Sequence, residues 1–266
     1  MERMTWPGMI WIGGAPGAGK STIARGLARE LDLPLHPVDL WTYDHVGRMP
    51  AQRSLEEDLA EGADVAAEAF VRIGRLRLEL VVEDVRARGL GGVPALVEGP
   101  QLYPSMVADG VRAAVWLMPD AEQTRRAREA RLARVEDPRG RARLEGLLAR
   151  DALLANRVRQ ETTQYGLPLI EVSADPDWHE ITTAVRTALG PQPELSPGEE
   201  LSRQRRIENL AATRQIRLWL ADIGVAEQQP YPFACECGRS GCALTVSLTP
   251  DQYDVQGLVR GAHRLS

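Results

Sequence analysis

Lysine is almost missing from this chain. Among 266 residues there is one, Lys20, against 31 arginines. Cysteine is scarce too: Cys235, Cys237 and Cys242 are the only three, confined to one short cluster. Three thiols cannot all pair within one chain, which fits a reducing compartment rather than secretion. No apolar run reaches the roughly 18 residues that cross a bilayer. Met1 to Gly8 is too short and too polar for a secretory signal. The expectation is a cytoplasmic protein without a membrane segment. A formal net charge of −5 argues against a general nucleic-acid binder. Apolar residues at 44% and charged residues at 26% exclude collagen-like, mucin-like and wholly disordered chains.

An arginine bias of this size is what a GC-rich coding background produces wherever a generic cation serves. A retained lysine then marks a place that needs a compact ammonium on a flexible stem rather than a planar fork. Lys20 lies in Gly13-Gly14-Ala15-Pro16-Gly17-Ala18-Gly19-Lys20-Ser21-Thr22. Gly14 to Ser21 reads G-x-x-x-x-G-K-S, the Walker A phosphate-loop pattern. Before it, Met9–Ile12 predicts a buried strand; after it, Ile23, Leu27 and Leu31 keep a helical period. Glycines permit a tight turn whose N–H groups converge on phosphate oxygens, and a helix starting near Gly19 adds its positive end. The expected nucleotide contacts are Gly14, Ala15, Gly17, Ala18, Gly19, Lys20, Ser21 and Thr22. Lys20 is expected on the β- and γ-phosphates of ATP, and the Ser21 hydroxyl on Mg²⁺.

Further strands are predicted at Leu33–Val38, Pro94–Val97, Ala113–Leu117 and Leu169–Val172. Helical stretches lie at Leu55–Arg88, Asp120–Arg134, Leu144–Gln164 and Trp178–Leu189. This alternation predicts an α/β fold for residues 1–190: a P-loop NTPase-type three-layer sandwich around a five-stranded parallel sheet. Residues 191–198 are proline-rich and read as a linker. Residues 199–266 are expected to form a small appendage: a charged helix over Glu199–Ile223, a Cys-rich region, and a final helix over Thr249–Val259.

Ligands of parallel sheets bind at the carboxyl ends of the strands. Asp39 and Glu98 both fall there. Asp39 is expected to orient or deprotonate an acceptor hydroxyl, with Asp44 as the second candidate. Glu98 closes the apolar run Pro94–Val97, the place of a Walker B acid, and is expected on Mg²⁺. The plainer alternatives are a turn aspartate and a salt-bridge glutamate. Eleven arginines lie between positions 125 and 159. Arg125, Arg128 and Arg131 share a helical face that would approach a phosphate, and Arg139-Gly140-Arg141 is expected to be a mobile lid. The competing reading is a solvated cationic helix. His36 is a candidate for facing the site, and Trp11, Trp41, Trp116 and Trp178 are expected in the core.

Residues 9–189 resemble the small P-loop kinases of metabolites and nucleotides: adenylate-, shikimate- and gluconate-kinase-like proteins and chloramphenicol phosphotransferase. The resemblance rests on Gly14–Ser21, on Val38-Asp39 with Met49-Pro50 downstream, on Leu96-Val97-Glu98-Gly99, and on Ala113–Leu117 followed by the arginine helix. It implies ATP·Mg²⁺, γ-phosphoryl transfer to a small hydroxyl or phosphate acceptor, and a closing lid. By it Asp39 corresponds to the acceptor-side carboxylate, and Arg125 or Arg128 to lid arginines. No substrate-specific signature accompanies it, and position 98 carries glutamate where aspartate is commoner.

The cysteines read Cys-x-Cys-x4-Cys. His263, 21 positions beyond Cys242, would complete a tetrahedral Zn²⁺ site. Reduced structural thiols or a redox pair are the alternatives. The functional expectation is an ATP-dependent phosphotransferase acting on a small molecule. Two alternatives stay open. One is a nucleotide-binding regulatory ATPase whose helix at 199–223 and zinc tail bind a protein partner or a second copy. The other is a zeta-toxin-like kinase of a nucleotide sugar.

Overall fold

The computed structural model describes residues 8–107, 113–131, 138–226 and 229–263. Strand β1 (Met9–Gly14) is buried at every position and lies at the centre of a sheet. Its partners are β2 (Leu35–Pro37), β3 (Ala95–Glu98), β4 (Ala113–Pro119) and β5 (Leu169–Val172). The order is β2-β3-β1-β4-β5, and every pairing is parallel. Side chains alternate across a strand. Trp11, Val97 and Trp116 therefore pack on one face, against α4 (Ala63–Ala87) and α7 (Pro138–Tyr165). Ile10, Ile12, Leu96 and Val115 pack on the other, against α1 (Lys20–Glu30) and α8 (Trp178–Leu189). This is the three-layer, P-loop kinase-like α/β fold expected from the sequence.

Local departures have local causes. The strand expected over Leu33–Val38 pairs only at Leu35–Pro37; Pro34 before it and Pro37 at its end lack a donor. Val38–Trp41 then winds into a 3-10 turn, which sets Asp39 just past the strand end. The long helix expected over Leu55–Arg88 is two. Ser54 and Glu57 form a capping box on α3 (Leu55–Glu61), and Gly62 separates it from α4. Two short helices were not expected, α2 (Thr42–Arg48) and α5 (Pro104–Val107). Asp120 caps α6 (Ala121–Glu129), accepting from the Gln123 amide at 2.7 Å. The expected end of that helix, Leu132–Arg134, lies outside the described residues. Arg139-Gly140-Arg141, expected to be a mobile lid, lies in the first turn of α7. Pro138 opens that helix, where its fixed φ suits the first helical position.

Beyond the proline-rich segment, α9 (Glu199–Asp222) lies against the corner between α1 and β2. Arg29 Nη2 donates to both carboxylate oxygens of Glu208, at 2.8 and 2.9 Å, and both side chains are buried. Arg205 donates to Leu33 O at 2.9 Å and Ala28 O at 2.7 Å. The Cys-rich region contains an antiparallel ribbon, β6 (Tyr231–Ala234) with β7 (Thr245–Leu248). The last helix, α10 (Pro250–Gln256), is shorter than expected and ends at Gly257. Glu236 is fully buried and pins these pieces together. It accepts from Asn209 Nδ2 at 2.8 Å, Tyr253 Oη at 2.7 Å and the Val259 amide at 3.2 Å. Among the described residues no helix is long and apolar enough to cross a membrane.

Candidate active site

The sheet register gathers the carboxyl ends of its strands. Glu98 on β3 pairs with Ile12 on one side and Pro37 on the other, and Gly14 pairs with Leu117 of β4. The Gly14–Gly19 loop leaves this edge and enters α1. Two of its glycines are demanded by space. A Cβ on Gly14 would fall 1.9 Å from Leu117 O. Gly19 caps α1 in the left-handed region at φ 74°, and a Cβ there would meet the Trp178 ring at 2.3 Å. Gln123 Nε2 donates to Gly17 O at 3.1 Å, which ties the loop to α6. Ala15 and Ala18 are buried in the loop, while Thr22 is exposed in the first turn of α1. First-turn amides have no intrahelical acceptor, so that end of α1 suits an anion.

Lys20 is buried, and its Nζ donates to Ala15 O at 2.8 Å. Burial pulls its pKa down to about 8; the charges of Glu98 and Asp39 oppose this, and those of Arg131 and Arg128 add to it. Glu98 is 2% exposed. Burial pushes its carboxyl up to about 7, and the Asp39 charge pushes the same way; Lys20, the Ser21 hydroxyl and Arg25 oppose it. The two shifts have one main cause: both charges sit in a dehydrated corner. One Glu98 oxygen, Oε2, is buried with no hydrogen-bond partner among the described residues. A hydroxyl and a carboxylate, one of its oxygens unsatisfied, form a hard oxygen donor set of the kind Mg²⁺ prefers.

Asp39 is exposed just past the end of β2, and its charge acts on both Lys20 and Glu98. Its turn is held from behind by Arg77, a buried residue of α4. Arg77 donates to Val38 O at 2.6 Å, Gln101 Oε1 at 2.7 Å and His45 Nδ1 at 3.2 Å. Nothing in an arginine-rich sequence singles out Arg77. Arg128 donates from Nε to the buried Asp151 carboxylate at 2.6 Å and acts on Lys20, as does Arg131. Arg125 is engaged elsewhere, half-exposed, with Glu145 at 3.3 Å and Glu129 at 3.8 Å. Asp44 is an ion-pair residue bound to Arg48 at 3.1 Å and Arg214 at 2.6 Å. His36 does not face the site. It is fully buried, stacked 5.3 Å from Trp41, with Nδ1 3.2 Å from Arg88 Nη2. Trp178, expected in the core, is 37% exposed beside Gly19. A cleft of about 760 Å³ lies between α3 and α4, lined by Arg53, Asp58, Arg72 and Arg75 among others.

The cysteines lie apart from this edge. The sulfurs of Cys235, Cys237 and Cys242 and a ring nitrogen of His263 are all within 4.8 Å of one another.

The chain is similar to two curated proteins. One is shikimate kinase of Rhodococcus jostii (strain RHA1), at 42% identity over 71 residues, covering 23% of this chain and 42% of that protein. The chain thus spans less than half of that kinase. The other is tRNA dimethylallyltransferase of Kocuria rhizophila, at 28% identity over 248 residues, covering 87% of this chain and 74% of that protein. A solved structure of a putative kinase from Chloroflexus aurantiacus J-10-fl overlaps 69% of this chain and all of its own, with a TM-score of 0.39 and 17% identity. No family model matches the chain.

Proposed function

We propose that the protein is an ATP-dependent phosphotransferase that moves the γ-phosphoryl group of ATP to a small-molecule acceptor. One observation carries this reading: Glu98 Oε2 is buried and unsatisfied, and its carboxyl feels both Lys20 and the Ser21 hydroxyl of a G-x4-G-K-S loop. The local similarity to a shikimate kinase supports it.

In this reading the loop from Gly14 to Gly19 and the first turn of α1 through Thr22 cradle the phosphates. Lys20 places its ammonium on the β- and γ-phosphates. Ser21 and Glu98 hold Mg²⁺, which when bound neutralises charge on the phosphate oxygens. Asp39 orients the acceptor hydroxyl and takes its proton. The acceptor oxygen bonds to the γ-phosphorus as the bond to the bridging oxygen breaks, and ADP carries off the electron pair. Arg128, steadied by Asp151, and Arg131 offset the charge of the migrating group. Arg125 seats α6 on α7 through Glu145.

A second reading has one observation in its favour: the likeness to a tRNA dimethylallyltransferase reaches across 87% of this chain. Here the loop would hold a phosphorylated dimethylallyl donor, and the acceptor would be tRNA. The net charge of −5 weighs against it. Incubating the protein with Mg·ATP and a panel of metabolites, nucleotides and antibiotics separates the two. The proposal expects ADP and an acceptor heavier by one phosphoryl group. Dimethylallyl transfer to tRNA, without acceptor-stimulated ADP release, would overturn it.

A further inference from the structure

The C-terminal segment assembles a second site that the phosphate loop does not use. Cys235 follows β6 directly, Cys237 stands two residues on, and Cys242 precedes β7. The chain then crosses through α10, and the tail returns beside β6. The Glu236 amide donates to Val259 O at 2.8 Å, and the Gly261 amide to Cys235 Sγ at 3.3 Å. Gly261 passes so close to Leu244 that a Cβ would fall 2.9 Å from the leucine Cβ. A residue without a side chain thus lets the tail lie against the cysteine loop. His263 Nε2 ends 3.3 Å from Cys235 Sγ.

We propose that Cys235, Cys237, Cys242 and His263 bind one Zn²⁺ in a closed tetrahedral site that clamps the C-terminal module onto the corner between α1 and β2. Tetrahedral zinc has Zn–S near 2.3 Å and Zn–N near 2.0 Å, so neighbouring ligand atoms stand about 3.5–3.8 Å apart. The four donors, mutually within 4.8 Å, meet that geometry with small side-chain adjustments. Three thiolates and an imidazole form a soft set that selects zinc over magnesium or calcium. Four protein ligands leave no open coordination position, which makes the site structural. Backbone amides face the sulfurs: Gly261 toward Cys235, and Arg239 toward Cys237 at 3.4 Å. Such donors offset the negative charge of a thiolate-rich centre.

The clamp follows from where the cysteine loop docks. The Gly241 amide, one residue before Cys242, donates to Asp32 Oδ1 at 3.0 Å. Asp32 is buried at the α1–β2 corner with a left-handed φ of 45°. Gly238 O accepts from the Gly198 amide at 2.8 Å, tying the loop to the start of α9. The appendage's own core is Phe233, Leu248, Tyr253 and Val259. A cluster of that size does not hold a ribbon and a short helix unaided, and small modules of this kind gain their stability from a metal.

The test uses the full chain, made without a histidine tag in zinc-supplemented medium. Elemental analysis after exhaustive dialysis is expected to find about one zinc per chain. Replacement by Co²⁺ is expected to give thiolate-to-cobalt charge transfer and the visible bands of tetrahedral cobalt. His263→Cys should keep the metal and strengthen the charge-transfer band, while Cys237→Ser should lose the metal on dialysis. The wild-type cobalt spectrum decides the matter even if a variant fails to fold. A reduced protein that retains no zinc and gives no tetrahedral cobalt spectrum would overturn the proposal. So would a native disulfide between two of the cysteines, or zinc retained equally by Cys237→Ser.

Discussion

The Ser21 hydroxyl, in the first turn of α1, acts on the Glu98 carboxyl at the end of β3 and favours its charged form. Glu98 Oε2 is buried without a partner among the described residues, and burial holds this carboxyl up near 7. A buried charge with one unsatisfied oxygen destabilises the fold it sits in. Sites that bind metals and phosphates commonly carry such a cost.

Glu98→Gln tests that cost. In metal-free buffer at pH 8 the variant should be more stable than the wild type, by up to about 3 kcal/mol. Its Mg²⁺-dependent ATP affinity should fall at the same time, by at least about tenfold. The sign follows from linkage. A carboxyl raised in the folded state loses stability as pH rises from its unfolded value of 4.5 to about 7, and the penalty is full above that. The stability gain should therefore vanish near pH 4.5. Thermal melts at both pH values, with titration calorimetry for ATP, check both halves.

Lys20 titrates the other way. Its pKa is lowered to about 8 from 10.5, so its penalty is full below about 8 and is relieved as pH rises toward 10.5. Phosphate binding needs the ammonium charged and Glu98 ionised. Mg·ATP affinity should climb as Glu98 ionises near 7 and fall as Lys20 loses its proton through about 8. Calorimetry across this range should give a bell. Lys20→Met should weaken binding throughout and remove the alkaline limb, because no group at position 20 is left to lose a proton.

The two helix arginines should differ. Arg128 rests on the buried Asp151 and acts on Lys20, whereas Arg125 is exposed and paired with Glu145. Arg128→Ala is expected to lower kcat/KM by about a hundredfold or more. Arg125→Ala should stay within about threefold, because exposed pairs contribute little. Steady-state kinetics of both variants decide the order.

The Arg29–Glu208 pair joins α1 to α9 and is buried on both sides. Glu208→Ala should destabilise the protein by about 3–5 kcal/mol, since it leaves Arg29 dehydrated and unpaired. The apolar double change Arg29→Met/Glu208→Leu should recover most of that loss. Urea denaturation followed by tryptophan fluorescence measures each.

The phosphate loop was legible because its backbone leaves few choices: Gly14 has no room for a Cβ, and Gly19 needs a left-handed φ. The sole lysine added an independent signal. Glu98 was legible from its place at the end of an apolar strand. Arg77 was not, because a buried arginine looks like any other among 31. The docking of α9 was hidden for a related reason. Gln204, Arg205, Glu208 and Asn209 are buried there, and a helix that buries polar residues against polar partners reads in sequence as a solvated one. Trp178 misled in the opposite sense, as an aromatic residue left partly exposed beside Gly19.

Phosphoryl transfer by this protein should depend on Lys20. The most direct measurement is acceptor-stimulated ATP consumption across a metabolite, nucleotide and antibiotic panel, with product masses, on the wild type and Lys20→Ala. One acceptor should accelerate ADP release and gain a phosphoryl group, and Lys20→Ala should lose that turnover. Turnover retained by a folded Lys20→Ala, or ATP bound with no acceptor phosphorylated, would rule out phosphoryl transfer through this loop.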